Sequence, residues 1–155
     1  MKFLIPLLGK TREGYVQAGI RDYACRLGRF VTVELPILKE RHGRKDPEEV
    51  TKQFEAALLL ERTGNAGVRV ALDPLGTSPN SEDLAVLLTG WEDRGVGTVS
   101  FLIGGHLGLH PSVLAHADMI LSLSRLTFTH EMTRMILLEQ LYRACTIKAG
   151  HNYHK

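Results

Sequence analysis

Cysteine is almost missing from this chain: two residues, Cys25 and Cys145, among 155. Both fall between apolar neighbours in predicted helices, so they read as buried free thiols in a reducing compartment and not as a bridge. Long apolar runs are missing too, and none approaches the length needed to cross a membrane. The first, Met1 to Lys10, is short, interrupted by Pro6 and without a small-residue cleavage site, so it reads as a first strand and not as an export signal. The cytoplasm is the expected location. A strong charge of either sign is absent as well. The net value is +2 with histidines neutral, so bulk electrostatics do not announce a nucleic-acid binder. No linker, repeat or low-complexity segment divides the chain, and 155 residues suffice for one domain with a real core.

What is present is a regular alternation. Lys2 to Leu8 is a β-like apolar run, and Gly14 to Leu27 has helical spacing through Val16, Ile20, Tyr23, Ala24 and Leu27. Val31, Val33 and Leu35 predict a second strand ending at Pro36. Asp46-Pro47-Glu48-Glu49 predicts a helix start with Asp46 as cap, running to about Thr63. Val68 to Leu72 predicts a third strand that gives way to a turn at Asp73 to Pro79. Asn80 or Ser81 caps a helix to Arg94, and Thr98 to Ile103 is a fourth strand. His110-Pro111 opens a short helix, Met119 to Leu123 is the last strand, and Glu131 to Lys148 the last helix. Strands that are continuous apolar runs, alternating with helices, indicate an α/β fold: a mostly parallel sheet with helices on both faces.

Several features carry chemistry. Phe101-Leu102-Ile103-Gly104-Gly105 and Leu121-Ser122-Leu123-Ser124 are buried strands that stop at small or hydroxyl residues, where open α/β sheets place ligands. The glycines do not follow the dinucleotide-binding spacing, and no P-loop lysine motif occurs. They serve either a tight turn or the close approach of a flat ligand. With Leu72 and the stretch Leu123 to Phe128, they make a pocket suited to an adenosyl group. Lys39, Arg41, His42, Arg44 and Lys45 crowd one loop, which is either a solvated connector or a phosphate contact. His106, His110 and His116 have no helical spacing across Pro111, so no metal is expected. Met132, Met135, Ile136, Leu138, Leu141, Tyr142, Cys145 and Ile147 make the last helix apolar around most of its circumference, which predicts packing both on its own sheet and against a second copy of the chain.

Taken together, Leu102-Ile103-Gly104-Gly105 with Gly108-Leu109, Leu121-Ser122-Leu123-Ser124 with Thr127-Phe128 and His130, Arg134, Glu139 to Ala144, Tyr153-His154-Lys155 and Gly9-Lys10 resemble one family over essentially the whole chain. It is the large-subunit ribosomal RNA pseudouridine N3-methyltransferase group of the SPOUT superfamily. The resemblance implies a parallel-sheet SPOUT fold with a C-terminal trefoil knot, an exception to the rule against knotted chains. It implies an obligate homodimer and S-adenosyl-L-methionine as cofactor, held by Leu72, Gly104, Leu123, Ser124, Arg125, Leu126, Thr127 and Phe128. The implied substrate is a pseudouridine in helix 69 of 23S ribosomal RNA on the assembled ribosome. His130, Tyr153 and His154 would be catalytic, and Arg134, Arg143, Tyr153 and His154 would contact the substrate. Two positions depart from the family: Thr129 stands where proline is usual, and His106-Leu107 replaces small or acidic residues.

Methyl transfer needs the acceptor in line with the methyl group, and N3 of a uracil-like ring must first lose its proton. Histidine is the natural acceptor near neutral pH. Each candidate also has a plainer reading. His130 sits where a helix start bonds backbone, Tyr153 to Lys155 can be a frayed end, and Arg134 and Arg143 can pair with Glu131 and Glu139 on the helix surface. The competing function is a catalytically silent ribosome- or RNA-binding module on the same fold, with an enzyme for another nucleotide ligand a weaker third.

Overall fold

The computed structural model describes residues 1–39 and 46–151. In chain order the elements are β1 (Lys2–Leu4), β2 (Leu7–Leu8), α1 (Gly14–Leu27), β3 (Thr32–Glu34), β4 (Ile37–Leu38), α2 (Glu48–Arg62), β5 (Val68–Thr77), α3 (Ser81–Asp93), β6 (Thr98–Leu102), α4 (Pro111–Ala115), β7 (Met119–Leu121) and α5 (His130–Lys148). Five strands form one parallel sheet in the order β3-β1-β6-β5-β7, and β2 pairs with β4 in a small parallel extension.

The expected first strand is divided at Pro6, and beyond the second, which ends before Pro36 as expected, the chain adds the short strand β4. Hydrogen bonding nevertheless runs on: the N–H groups of Ile5, Leu7 and Gly9 donate to the carbonyls of Glu34, Pro36 and Leu38 at 2.8, 2.8 and 3.1 Å. Alternate residues of a strand face opposite neighbours, so the donor that Pro6 lacks lies on the other side of this ladder.

The same alternation splits the core. Val70 and Phe101 pack on one side of the sheet with α1, α3 and α5, while the next residues, Ala71 and Leu102, pack on the other with α2 and α4. Phe3 and Phe101 meet edge to face at 5.5 Å. The central strands are buried on both faces over most of their length, so that even the polar Ser100 of β6 is 0% exposed.

Three expectations need correction. Asp46 does not cap α2: Pro47 occupies the cap position without a side-chain bond, and the helix starts at Glu48. By contrast Asn80 and Asp83 form a full capping box at α3. The third strand does not end at Leu72 but continues to Thr77 through a bulge, Leu72 and Thr77 both facing Leu121. Gly76 permits this, since a Cβ there would stand 2.6 Å from the Ile120 carbonyl oxygen. Cys25 is exposed, whereas Cys145 is buried and its thiol is pushed up to about 11 by that burial. The apolar girth of α5 meets its own chain on one side, as expected: Leu138 and Leu141 are 1% and 0% exposed in the core between α1 and α3, while Met132, Met135, Ile136, Tyr142 and Ile147 stay partly exposed. Among the described residues no helix is long and apolar enough to cross a membrane.

Candidate functional site

Strands β6, β5 and β7 are neighbours, and the segments leaving their C-terminal ends enclose a cavity of about 480 Å³. Its volume and its mostly apolar walls are typical of small-molecule sites. Leu72, Asp73 and Pro74 line it from β5, and Ile103, Gly104, Gly105, His106, Gly108 and Leu109 from the loop after β6. From the end of β7 and the segment beyond come Leu121, Ser122, Leu123, Ser124, Leu126, Thr127 and Phe128. Thr129, His130 and Thr133 complete the wall from the start of α5.

The small and hydroxyl residues hold the loops in shape. A Cβ on Gly104 would stand 2.5 Å from the Gly108 carbonyl carbon and 2.7 Å from the Leu109 nitrogen. Gly104 is therefore required by the close packing of its own loop, which turns at Gly108 with φ of +78°, and the ligand-approach reading of Gly104 gives way to that one. The Ser122 hydroxyl donates to the Ser124 carbonyl at 2.8 Å, and the Ser124 hydroxyl accepts from the Leu126 N–H at 3.0 Å. Thr129 caps α5, its hydroxyl accepting from the Met132 N–H at 3.3 Å. The residue found where the resemblance expects proline thus gives this helix a side-chain cap that proline has no hydroxyl to provide.

Of the cofactor candidates, Leu72, Gly104, Leu123, Ser124, Leu126, Thr127 and Phe128 line the cavity, while Arg125 does not. His130 lines it too. Arg134 is a correction: it is 2% exposed and turned away from the cavity wall. Its guanidinium donates to the Leu8 carbonyl, to the Gly9 carbonyl at 3.2 Å and to the Thr11 hydroxyl at 3.0 Å. Nor does Glu131 sit on the helix surface; its carboxylate accepts the N–H groups of Arg12 and Glu13 at 2.9 and 3.1 Å. Burial works against that charge, but the two N–H donors, with Arg134 and His130 nearby, hold its pKa below the ordinary carboxylate value.

Arg143 does make the expected surface pair with Glu139, at 2.8 Å, and does not line the cavity. Ten residues beyond Thr133, it lies roughly 15 Å further along the helix axis. Tyr153 and His154, together with Arg41, His42, Arg44 and Lys45, lie outside the described residues. The three spaced histidines go separate ways: His106 lines the cavity, His110 caps α4 and meets Glu49 at 2.9 Å, and His116 bonds the Ser112 carbonyl at 2.7 Å.

Asp73 is the main residue that the sequence reading missed. It directly follows the apolar run of β5, and an acid at a strand end was the available signal. Among the described lining residues it is the single carboxylate, and no lysine or arginine joins it. Such a wall suits a cationic, largely apolar ligand and offers a phosphate no permanently charged side chain.

Known proteins agree with this geometry. The family described as "Predicted SPOUT methyltransferase" matches residues 1–154. A "Ribosomal RNA large subunit methyltransferase H" of Desulfotalea psychrophila is 48% identical over 155 residues, covering 100% of both chains. One of Heliobacterium modesticaldum is 42% identical, covering 97% of both. Among solved structures, a probable methyltransferase from Bordetella pertussis superposes with a TM-score of 0.57 at 15% identity, covering 93% of this chain and 95% of that one. A probable methylase family protein from Haemophilus influenzae gives 0.61 at 12% identity, covering 99% and 70%. These two likenesses concern the fold alone. The full-length match, carried on an α/β fold with a cavity at the C-terminal ends of adjacent parallel strands, establishes that the chain belongs to the SPOUT methyltransferase family.

Proposed function

We propose that the chain methylates N3 of a pseudouridine in the helix 69 loop of 23S ribosomal RNA, on the assembled ribosome in the cytoplasm, and works as a homodimer. The reading rests on full-length relatives named as large-subunit ribosomal RNA methyltransferases. The observation that carries its chemistry is the cavity: apolar, with Asp73 as its one carboxylate and no lysine or arginine among the described residues of its wall. That character fits S-adenosyl-L-methionine, which joins an adenosyl group to a positive sulfonium. It suits a nucleotide bearing phosphates poorly. The same family reading takes the C-terminal part of the chain through a trefoil knot.

When bound, S-adenosyl-L-methionine supplies a methyl group on a cationic sulfur. Leu72, Leu123, Leu126 and Phe128 hold the cofactor against apolar side chains, and Asp73 offsets its positive charge. His130, in the cavity wall, and His154 are the imidazoles that would accept the N3 proton, and Tyr153 would contribute to holding the base. Since Arg143 stands far along α5 from its own cavity, its substrate contact belongs to the cavity of the partner subunit.

The test has two parts. Calorimetry should show S-adenosyl-L-methionine binding, and Phe128→Ala should weaken it by roughly tenfold through loss of apolar contact. Mass spectrometry of helix 69 from cells lacking the gene should show a pseudouridine short of one methyl group, restored by the intact gene. Absence of cofactor binding would leave a silent module, and an unchanged helix 69 would move the methyl acceptor elsewhere.

A further inference from the structure

Arg134 and Glu131 together make five hydrogen bonds with Leu8 to Glu13, the segment that leads into α1. Burying a guanidinium to anchor a loop is costly, so the anchored position has a use beyond filling the core. The turn of α5 that provides these anchors also provides His130 and Thr133 to the cavity wall. The loop is thus held against the same turn of α5 that lines the cavity.

On its outer side the loop carries two exposed cations, Lys10 and Arg12, followed by Tyr15, whose surface is 68% exposed. Tyr15 shares a face of α1 with Gly19, four residues on, and Gly19 packs against Met135 of α5. Further along, Tyr23 approaches Tyr142 with ring centroids 6.3 Å apart. The two helices therefore run side by side in the same direction, which brings Tyr15 level with the first turn of α5. Two cations and an exposed phenol ring beside a turn that lines the cavity match the chemistry of a flexible RNA strand: cations displace counterions from phosphates, and a ring offers a stacking platform to an unpaired base.

We infer that Lys10, Arg12 and Tyr15 form an RNA-positioning contact outside the cavity, the cations on phosphates flanking the target base and Tyr15 stacked on a neighbouring unpaired base. This rests on the RNA methyltransferase reading of the cavity and adds residues to it that act on placement of the strand, not on methyl transfer.

The probe is ribosomes purified from a strain lacking the gene, used both in a co-sedimentation titration at several salt concentrations and in a methylation assay. Lys10→Ala with Arg12→Ala should raise KM for ribosomes by roughly tenfold or more and reduce the salt slope of binding by about two, one per lost phosphate contact. Tyr15→Ala should raise KM by at least about fivefold while Tyr15→Phe, which keeps the ring, should not. Cofactor affinity and kcat should stay near wild type in all of them, and Arg29→Ala, an exposed cation at the far end of α1, should change neither slope nor KM. An unchanged KM and salt slope in the double variant would overturn the inference. So would a loss confined to kcat, or a Tyr15→Ala effect on sedimentation of the free protein with none on ribosome binding, which would make the ring a contact between copies. If wild-type protein binds ribosomes without methylating them, the methyl acceptor is wrong, while the slopes still judge the loop.

Discussion

Glu131 and Arg134 open α5, and Glu139 and Arg143 follow two turns later with almost the same spacing. The second pair closes on itself, with Arg143 donating twice to one Glu139 oxygen. The first pair instead directs its hydrogen bonds to Leu8 to Glu13, more than a hundred residues away in sequence. Spacing within the helix does not separate these fates. Position in the apolar stripe does: Glu131, Arg134, Leu138, Leu141 and Cys145 follow one another at three- and four-residue steps, and all are buried. Glu139 and Arg143 fall between those positions. A charged residue on the inward stripe must find partners inside, and here it finds backbone carbonyls and N–H groups.

The sharpest way to test that contrast is to remove each arginine and measure stability. Arg134→Ala removes the guanidinium that donates to the Leu8 and Gly9 carbonyls and takes a positive charge from beside Glu131. The expected loss is ~3 kcal/mol or more in urea unfolding. Arg143→Ala breaks a partly exposed pair, and the expected loss is under about 1 kcal/mol. Equal losses would mean that the two arginines do the same work.

Function should reverse the order. Arg143→Ala should lower methylation of ribosomes by roughly tenfold, the loss of one charge-assisted contact, with cofactor affinity unchanged. Because its side chain lies far along the helix from its own cavity, the effect should cross the dimer. A mixed dimer of one Arg143→Ala protomer and one Phe128→Ala protomer then keeps one intact cavity facing one intact arginine, and recovers activity. No recovery would confine Arg143 to its own subunit.

The same contrast shows where sequence reading succeeds. Periodicity located every helix and the parallel strands, because burial on one or both faces imposes a repeat on the residues themselves. The strand ends just before Gly104 and Leu123 were legible for the same reason, and seven of the eight cofactor candidates line the cavity. What escaped depends on contacts distant in sequence. Nothing near Arg134 announces that its guanidinium meets Gly9, and nothing near Gly76 announces the carbonyl of Ile120. Gly104 was singled out correctly but for a reason that only the loop's closure on Gly108 corrects. Valine there would therefore disturb the loop itself, which makes Phe128→Ala the cleaner probe of cofactor binding. Apolar girth around α5 announced packing on more than one side, and α1 and α3 account for one of them, with Met132, Met135, Tyr142 and Ile147 still partly exposed.

The smallest expected effect concerns acid. The folded-state pKa of Glu131 lies below its ordinary value of 4.5, because the N–H groups of Arg12 and Glu13 and the nearby positive charges outweigh the effect of burial. A depressed carboxylate contributes stability that is fully present above its unfolded value and disappears as pH falls through the folded one. Glu131→Gln keeps an oxygen acceptor but removes the charge, so the variant should be less stable than wild type at pH 6. The gap should narrow below pH 4.5 and approach a constant once the wild-type carboxylate is protonated. Glu49 and Glu92 are depressed as well, by His110 and by Lys148, and they titrate identically in both proteins, so the difference between the two curves isolates Glu131. Urea unfolding of both proteins at pH 6, 4.5 and 3 reads it directly. A gap that stays the same across this range would show that the Leu8 to Glu13 segment is held by Arg134 and the shape of the Glu131 side chain alone, with no contribution from the negative charge.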